Sequence, residues 1–504
     1  MAKDLQQKVV ENLSTGLNVI DSPHDMEDSD LQIATNVTYR PSGEVESIDG
    51  LLQVGDDITV NSSAATKILG GIMFNSLVYL MASNGTEARL VYLSGGTTWT
   101  EASSQNFDPD ALCDFIVYNS KMWFVNGLTT NSNVLHFLDT SNTLTGLTTS
   151  SGLESGINRL VLHLERVWIS KGNNIFVSIQ YPTGANSDWD ATRAYAGSNA
   201  PGLIQLDNDT EDSIKRMISH FGQLTVFRKY KINVVSGTSI LTSTIEKSFN
   251  SKGIIADFSV GKADTVLYFL AQEGVKQFKG ITTQDQTTTF DSVSTISLDR
   301  KIRSEITSFT DQTMARGYAF EDKYYLSDGE STILVFDEIT GGWSKWNVGG
   351  AEVFIENGES LFIAKTNKYY QINADTTASV TSLIKTKDYN LGTDQLYKIF
   401  EKLLVTLKTY ESSMDITLEW YIDGETTASG TKSVTILTAG ARWDEGYSWD
   451  VGNRWDTGNI NFTREKQRKL NSGVTIAFGV TASGTNRFSV SSIDLLYELM
   501  RKES

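Results

Sequence analysis

The stretch ILGGIMFNSLVYLMA, residues 68–82, sets two apolar runs on either side of a two-residue break, Asn75-Ser76. Asparagine tolerates the left-handed backbone that a tight hairpin needs, so the stretch reads as two antiparallel strands. The layout returns along the chain as DFIVYNSKMWFVNG (114–127), NRLVLHLERVWISKG (158–172), SIKRMISHFGQLTVFRK (213–229) and ADFSVGKADTVLYFLAQEG (256–274). It closes with ARGYAFEDKYYLSDG (315–329) and AEVFIENGESLFIAK (351–365). The breaks lie roughly 37 to 58 residues apart, the length of a four-stranded propeller blade with variable loops. Two outer segments, ARLVYLSGGTTWTEA (88–102) and STILVFDEITGGWSKWN (331–347), each read as a third strand, a turn and a Trp-bearing fourth strand. The expected fold is therefore all-β: a β-propeller of six or seven blades over residues 56–377, because end strands often complete one blade.

Composition agrees. Forty glycines against five prolines point to many strands joined by tight turns, and 39 % hydrophobic with 21 % charged residues is a folded composition. The formal charge of −18 speaks against a protein that holds nucleic acid by neutralising phosphates, yet suits one that lets nucleic acid slide past. The single cysteine, Cys113, lies in the apolar run ALCDFIVY and reads as a buried, inert thiol. No run of eighteen apolar residues and no apolar leader occurs, so neither a membrane span nor secretion is expected, and assembly in a cytosol fits.

Near residue 378 the pattern changes to longer alternating strands. KIFEKLLVTLKTY (398–410) and SMDITLEWYIDGE (413–425) read as a hairpin-like pair. KSVTILTAG (432–440), SGVTIAFGVTAS (472–483) and NRFSVSSIDLLYELM (486–500) continue a β-sandwich over 378–504. A tryptophan-rich loop, 441–470, interrupts it. In ARWDEGYSWDVGNRWDTG (441–458) three Trp-Asp pairs fall within thirteen residues, too close for each to close a blade. Three exposed indoles need cover, either from their own sandwich or from a docked partner. The candidate interface is Arg442, Trp443, Tyr447, Trp449, Arg454 and Trp455, with Arg464, Arg468 and Lys469 in the basic flank TREKQRKL.

Residues 14–51, STGLNVIDSPHDMEDSDLQIATNVTYRPSGEVESIDGL, read as an extended arm and an acid-rich turn, with Asp28 or Ser29 capping a short helix over DLQIATN. Solvation alone accounts for its acids.

On these residues the chain resembles the head-to-tail and tail proteins of short-tailed bacteriophages. Gly16, Leu17, Asn18, Asp21, Pro23, Met26, Asp28, Asn36, Gly43 and Gly50 follow that family's opening pattern in order, while Thr15 and Asp49 depart from it. The closing NRFSVSSIDLLYELMRK and the clustered W-D-x-G loops before it are also similar, so the specific likeness covers about the first fifty and last seventy residues. The resemblance implies a tail nozzle, or packaged-DNA stabilisation protein: a propeller on a β-sandwich platform built from both chain ends, with 1–55 as arm and platform. It further implies a hexameric ring below the adaptor or portal proteins in the virion tail, contacts with tail fibres or spikes, and DNA passing through the lumen. On this reading the inserts 183–210 and 275–310 are candidates for the channel constriction.

Catalytic and metal signatures are weak, and no cofactor is expected. His24, His136, His163 and His220 are scattered, the latter two inside repeat strands where a core role is the simpler reading. The acidic run DNDTED (207–212) lacks the glycine and the closing glutamate of a Ca²⁺ loop. SGGTTWT (94–100) is only loosely similar to the Asp box of sialidases, since Gly96 stands at the aspartate. Asp188 and Asp190 are simplest as neighbouring exposed acids, though buried carboxylates could serve acid/base work. A propeller glycosidase or carbohydrate-binding tail protein and a soluble interaction hub stay open as alternatives.

Overall fold

The computed structural model describes residues 5–126, 133–148, 153–189, 200–207, 209, 211–237, 243–250, 253–278, 297–392, 396–409, 414–436 and 461–500. Among the described residues, seven antiparallel sheets form a closed propeller. Blades 1 to 4 span 67–101, 114–148, 159–205 and 214–250, each with four strands in simple up-and-down order. Blade 5 (261–278) has three strands among the described residues, and blade 6 (316–346) has four. Blade 7 takes three strands from 353–375 and its outer strand, Gly50–Gln53, from the N-terminal region, with Gln53 opposite Tyr370. The count left open by the sequence is thus seven, and an early strand completes the last sheet. Closure removes the exposed edges that a strand-rich chain must otherwise protect.

Alternation explains why these segments stack. Each strand turns apolar residues to both faces of its sheet, and a hydrophobic cluster fills the gap to the next blade. Trp123 and Val125 of blade 2 meet Leu160 and Ile169 of blade 3, and Trp168 of blade 3 meets Leu224 and Val226 of blade 4. Phe227 and Phe269 join blades 4 and 5 with ring centroids 5.1 Å apart. The circle closes where Ile68 and Leu80 of blade 1 pack against Ile355, Phe362 and Tyr369 of blade 7. Both Trp-bearing fourth strands occur as expected: Trp99 is buried edge-on to Tyr369, and Trp343 and Trp346 are buried in blade 6. Cys113 is buried on the inner side of blade 2, and burial, aided by Asp114, pushes its thiol well up.

The two chain ends meet in two further sheets that share one core with blades 5 and 6. In the first, Phe488–Leu499 pairs with Lys398–Thr409 on one side and with Leu5–Val10 and Val45–Ser47 on the other, so that Leu5 faces Glu498. The second continues blade 6 without a break. The parallel contact Thr35–Lys345 adds strand Asp30–Thr35, followed in order by Val380–Thr386, Ile476–Gly484, Met414–Ile422 and Gly430–Ile436.

Three expectations change here. DLQIATN is not a capped helix but strand Asp30–Thr35, because pairing on both edges outweighs a local cap. The segments 398–410 and 413–425 do not form a hairpin. Lys398–Thr409 finds long partners in Asn461–Gly473 and Phe488–Leu499, while Met414–Ile422 lies in the other sheet between Gly430–Ile436 and Ile476–Gly484. The basic flank of the tryptophan loop is itself a strand, Asn461–Gly473, at the edge of the first sheet. Its run of charges hid it, and charges on an edge strand discourage stray pairing. Among the described residues, no helix is long and apolar enough to cross a membrane.

Candidate functional site

Among the described residues, polar side chains gather with built geometry at the joint between propeller and end sheets and at the propeller axis. The joint is made by the N-terminal motif. Gly16 lies at φ 90° against blade 6, where a Cβ would stand 2.4 Å from the backbone nitrogen of Trp343, so only glycine fits. Leu17 enters the shared core. Asn18 is buried, donates to Asp21 (3.0 Å) and Asp30 (2.8 Å), and accepts the backbone N–H of Asp21. Asp30, also buried, accepts from Thr15 at 2.7 Å and from the ammonium of Lys301 at 2.6 Å. The carbonyl of Pro23 accepts the N–H of Asp388, Asp28 pairs with Lys8 and Lys387, and Arg300 lies 3.7 Å from Asp21. The motif's acids are therefore not merely solvated. Two cations from the connector between blades 5 and 6, one from the C-terminal part and Lys8 from the first strand hold them, because Asp30 could not stay charged in the core unpaired.

Asn36 ties three segments together. At φ 54° its N–H donates to Lys345 O (2.8 Å) and its Nδ2 to Thr381 O (2.8 Å), while its Oδ1 accepts from Asn347 N (2.7 Å). Gly43, at φ 89°, accepts the N–H of Leu13 at its carbonyl. Tyr39 donates to Trp343 O and Trp346 to Val37 O, so the tryptophans of blade 6 also anchor the arm. Sequence reading singled out the N-terminal half of this joint but missed Lys301, Asn347 and Thr381. They lie hundreds of residues away and carry no local signal.

Of the expected docking residues, Arg442, Trp443, Tyr447, Trp449, Arg454 and Trp455 lie outside the described residues. Arg464, Arg468 and Lys469 lie on the edge strand, at the register of Thr406 and Lys402 for the first two. Within the candidate insert 275–310, the part 297–310 is no free loop: it carries a short helix, Arg303–Thr307, and buries Ile302 and Ile306 in the shared core.

At the axis the first strands of blades 1, 2, 4, 5, 6 and 7 line a cavity of about 650 Å³. Phe258 sits among three guanidinium groups, with Arg159, Arg216 and Arg316 at 4.9, 4.8 and 5.5 Å from its ring centroid. Arg159 pairs with Asp257, and Arg216 with Asp114 at 2.7 Å. Burial pulls Arg316 down to about 10 and raises the Glu352 carboxyl. Toward the hairpin turns, Tyr318 donates to Glu356 at 2.8 Å and Lys262 is exposed.

The other sequence candidates have structural work. Asp188 is buried and accepts the N–H groups of Thr183, Gly184 and Ala185, so it is neither exposed nor placed for acid/base chemistry; Asp190 lies outside the described residues. Asp207 is held below the usual carboxylate range by the buried Arg228, which grips it through two nitrogens. His136, His163 and His220 are buried, whereas His24 is exposed. Among the described residues, no group of three or more His, Cys, Asp or Glu side chains is placed to hold a metal.

No family model matches this chain, and no curated protein does. Among solved structures it is similar to the computationally designed Ika8 protein (14 % identity, 69 % of this chain and 98 % of that one, TM-score 0.38). It is also similar to BamB from Moraxella catarrhalis (11 %, 73 % and 97 %, TM-score 0.36) and to the WD40 domain of Neurospora crassa Pan2 (10 %, 62 % and 89 %, TM-score 0.39). The seven-bladed ring stands on its own strand pairings.

Proposed function

We propose that this chain is a structural subunit of a phage tail nozzle, a ring of copies, hexameric in the family it resembles, docked below the adaptor or portal proteins. The observation that carries the reading is the joint. The N-terminal motif, whose sequence suggested the family, spends its glycines, Asn18, Asp30 and Asn36 on locking both chain ends to blade 6. Such a joint suits a load-transmitting wall. The crowding of Phe258 and three arginines near the axis supports the same role, with DNA running through a lumen between copies and not through the blade ring. The charge of −18 favours such passage, since an acidic wall repels phosphates. Tail fibres or spikes would bind the outer loops.

The test is assembly. Incubated with adaptor-bearing heads, the protein should add as a ring visible by electron microscopy, and replacing Trp443, Trp449 and Trp455 together by Ala should weaken its incorporation while leaving the propeller folded. Normal tail assembly by that variant would remove the docking role. A protein that never joins the particle would end the nozzle reading.

A further inference from the structure

The axial cavity is not used by the nozzle reading, and its chemistry is specific. One end offers Arg216, whose guanidinium meets Asp114 through one nitrogen, beside the buried Arg316. Arg316 spends two of its nitrogens on the carbonyls of Glu352 and Met314, at 2.9 and 2.7 Å. Of the three acids near this end, Asp114 and Asp257 are paired with arginines. Glu352 turns one oxygen to the N–H groups of Ile68 and Thr366, and its burial weakens it as a competitor for the guanidiniums. The Arg216 nitrogen nearest Asp114 makes no hydrogen bond to it, so this guanidinium keeps donors for an added carboxylate.

The walls alternate apolar and aromatic surface, from Ile72, Phe115, Ile218 and Phe354, with polar groups nearer the turns: the Tyr318 hydroxyl, the Glu356 carboxylate and the Lys262 ammonium. Tyr318 and Phe354 stack at 6.2 Å and 23°. Aromatic planes beside hydrogen-bonding groups are what the C–H faces and hydroxyls of a sugar require, and the cavity volume exceeds that of a bare carboxylate.

We propose that the axial cup binds a sugar carrying one carboxylate, with the carboxylate on Arg216 and Arg316 and the ring against Tyr318 and Phe354. Glu356 accepts from its hydroxyl groups. The proposal does not depend on the nozzle reading, since it concerns a surface inside one chain. A free monosaccharide and the end residue of an acidic polysaccharide present the same chemistry.

Ligand-observed NMR and calorimetry on the intact protein test it with glucuronate, N-acetylneuraminate, a glucuronate-ended oligosaccharide, glucose and acetate. Saturable binding of at least one acidic sugar is expected, at about millimolar affinity, with glucose and acetate at least about tenfold weaker. Tighter binding of the oligosaccharide than of glucuronate would assign the cup to chain ends, and equal binding to the free sugar. Arg216→Gln should weaken binding about tenfold or more, the loss of a charge-assisted contact. If that variant does not fold, Ala319→Trp, which fills the cup without removing a charge, should abolish binding. No saturable binding of any acidic sugar, equal binding of glucose, or unchanged affinity in a folded cup variant would overturn the proposal.

Discussion

Asn18 and Asp30 lie against one another without solvent exposure, the Asn18 amide donating to the Asp30 carboxylate over 2.8 Å. A third partner, Lys301, arrives from the connector between blades 5 and 6. The arm's register on the propeller therefore depends on one buried carboxylate whose cation comes from elsewhere in the chain.

Breaking that set from one side should leave a buried charge. Lys301→Met is expected to destabilise the protein by about 3 kcal/mol, because Asp30 loses its cation. Asp30→Asn in the same chain should recover part of the loss. A double-mutant cycle by urea unfolding should give a coupling of about 1–3 kcal/mol. Simple additivity would mean that Lys301 merely decorates the surface.

Asn36 combines a left-handed backbone with side-chain bonds to two different segments. Asn36→Gly keeps the backbone and loses the bonds, costing about 2 kcal/mol, whereas Asn36→Ala adds about 1 kcal/mol of strain. Thermal melts should rank wild type above Gly above Ala. Ala equal to or above Gly would refute the role assigned to its conformation.

The propeller was legible because a blade is local. Two apolar runs around Asn75-Ser76 become a hairpin with Leu77 opposite Phe74, and turn chemistry and alternation lie within fifteen residues. The end sheets were legible in strand content but not in pairing. Lys398–Thr409 bonds to strands beginning at Asn461 and Phe488, and nothing in its own sequence distinguishes them from Met414–Ile422. Gly16, Asn18 and Asn36 stood out through a motif, but their use as a joint appears only with Lys301, Asn347 and Thr381 in place. The axial arginines gave no warning at all. Arg159, Arg216 and Arg316 sit on the first strands of three different blades and converge on Phe258 only when the ring closes.

Burial also sets an acid limit. His136, stacked on Phe124, and His163, bonded to Ser219, are each lowered by burial from 6.5 to about 4. Unfolding restores the ordinary value, so between pH 6.5 and about 4 the unfolded chain binds more protons than the folded one. Stability is full above that window and falls on acidification by about 1.4 kcal/mol per pH unit for each histidine. His136→Phe, flanked by Phe107 and Phe124, should flatten the slope of denaturation free energy against pH by about that amount. An unchanged slope would show that His136 does not contribute to the acid response.

The hub of the ring makes the sharpest steric prediction. At Gly317, on the first strand of blade 6, an added Cβ would stand 2.1 Å from the carbonyl oxygen of Ser259 in the segment leading to blade 5. Both partners are backbone, so neither can swing aside, and the contact lies where Phe258 bridges to Arg316 in the parallel sense. Gly317→Ala must push blades 5 and 6 apart at the axis and loosen the core they share with the end sheets. The expected cost is about 3 kcal/mol or more, large for the addition of one methyl group. Gly358→Ala is the matched control, because that turn glycine, at φ 61°, has nothing within 4 Å of the added carbon and should cost only about 1 kcal/mol of backbone strain. Equal melting temperatures for the two variants would mean that the blades do not approach so closely at the axis, and the tight contact there would have to be given up.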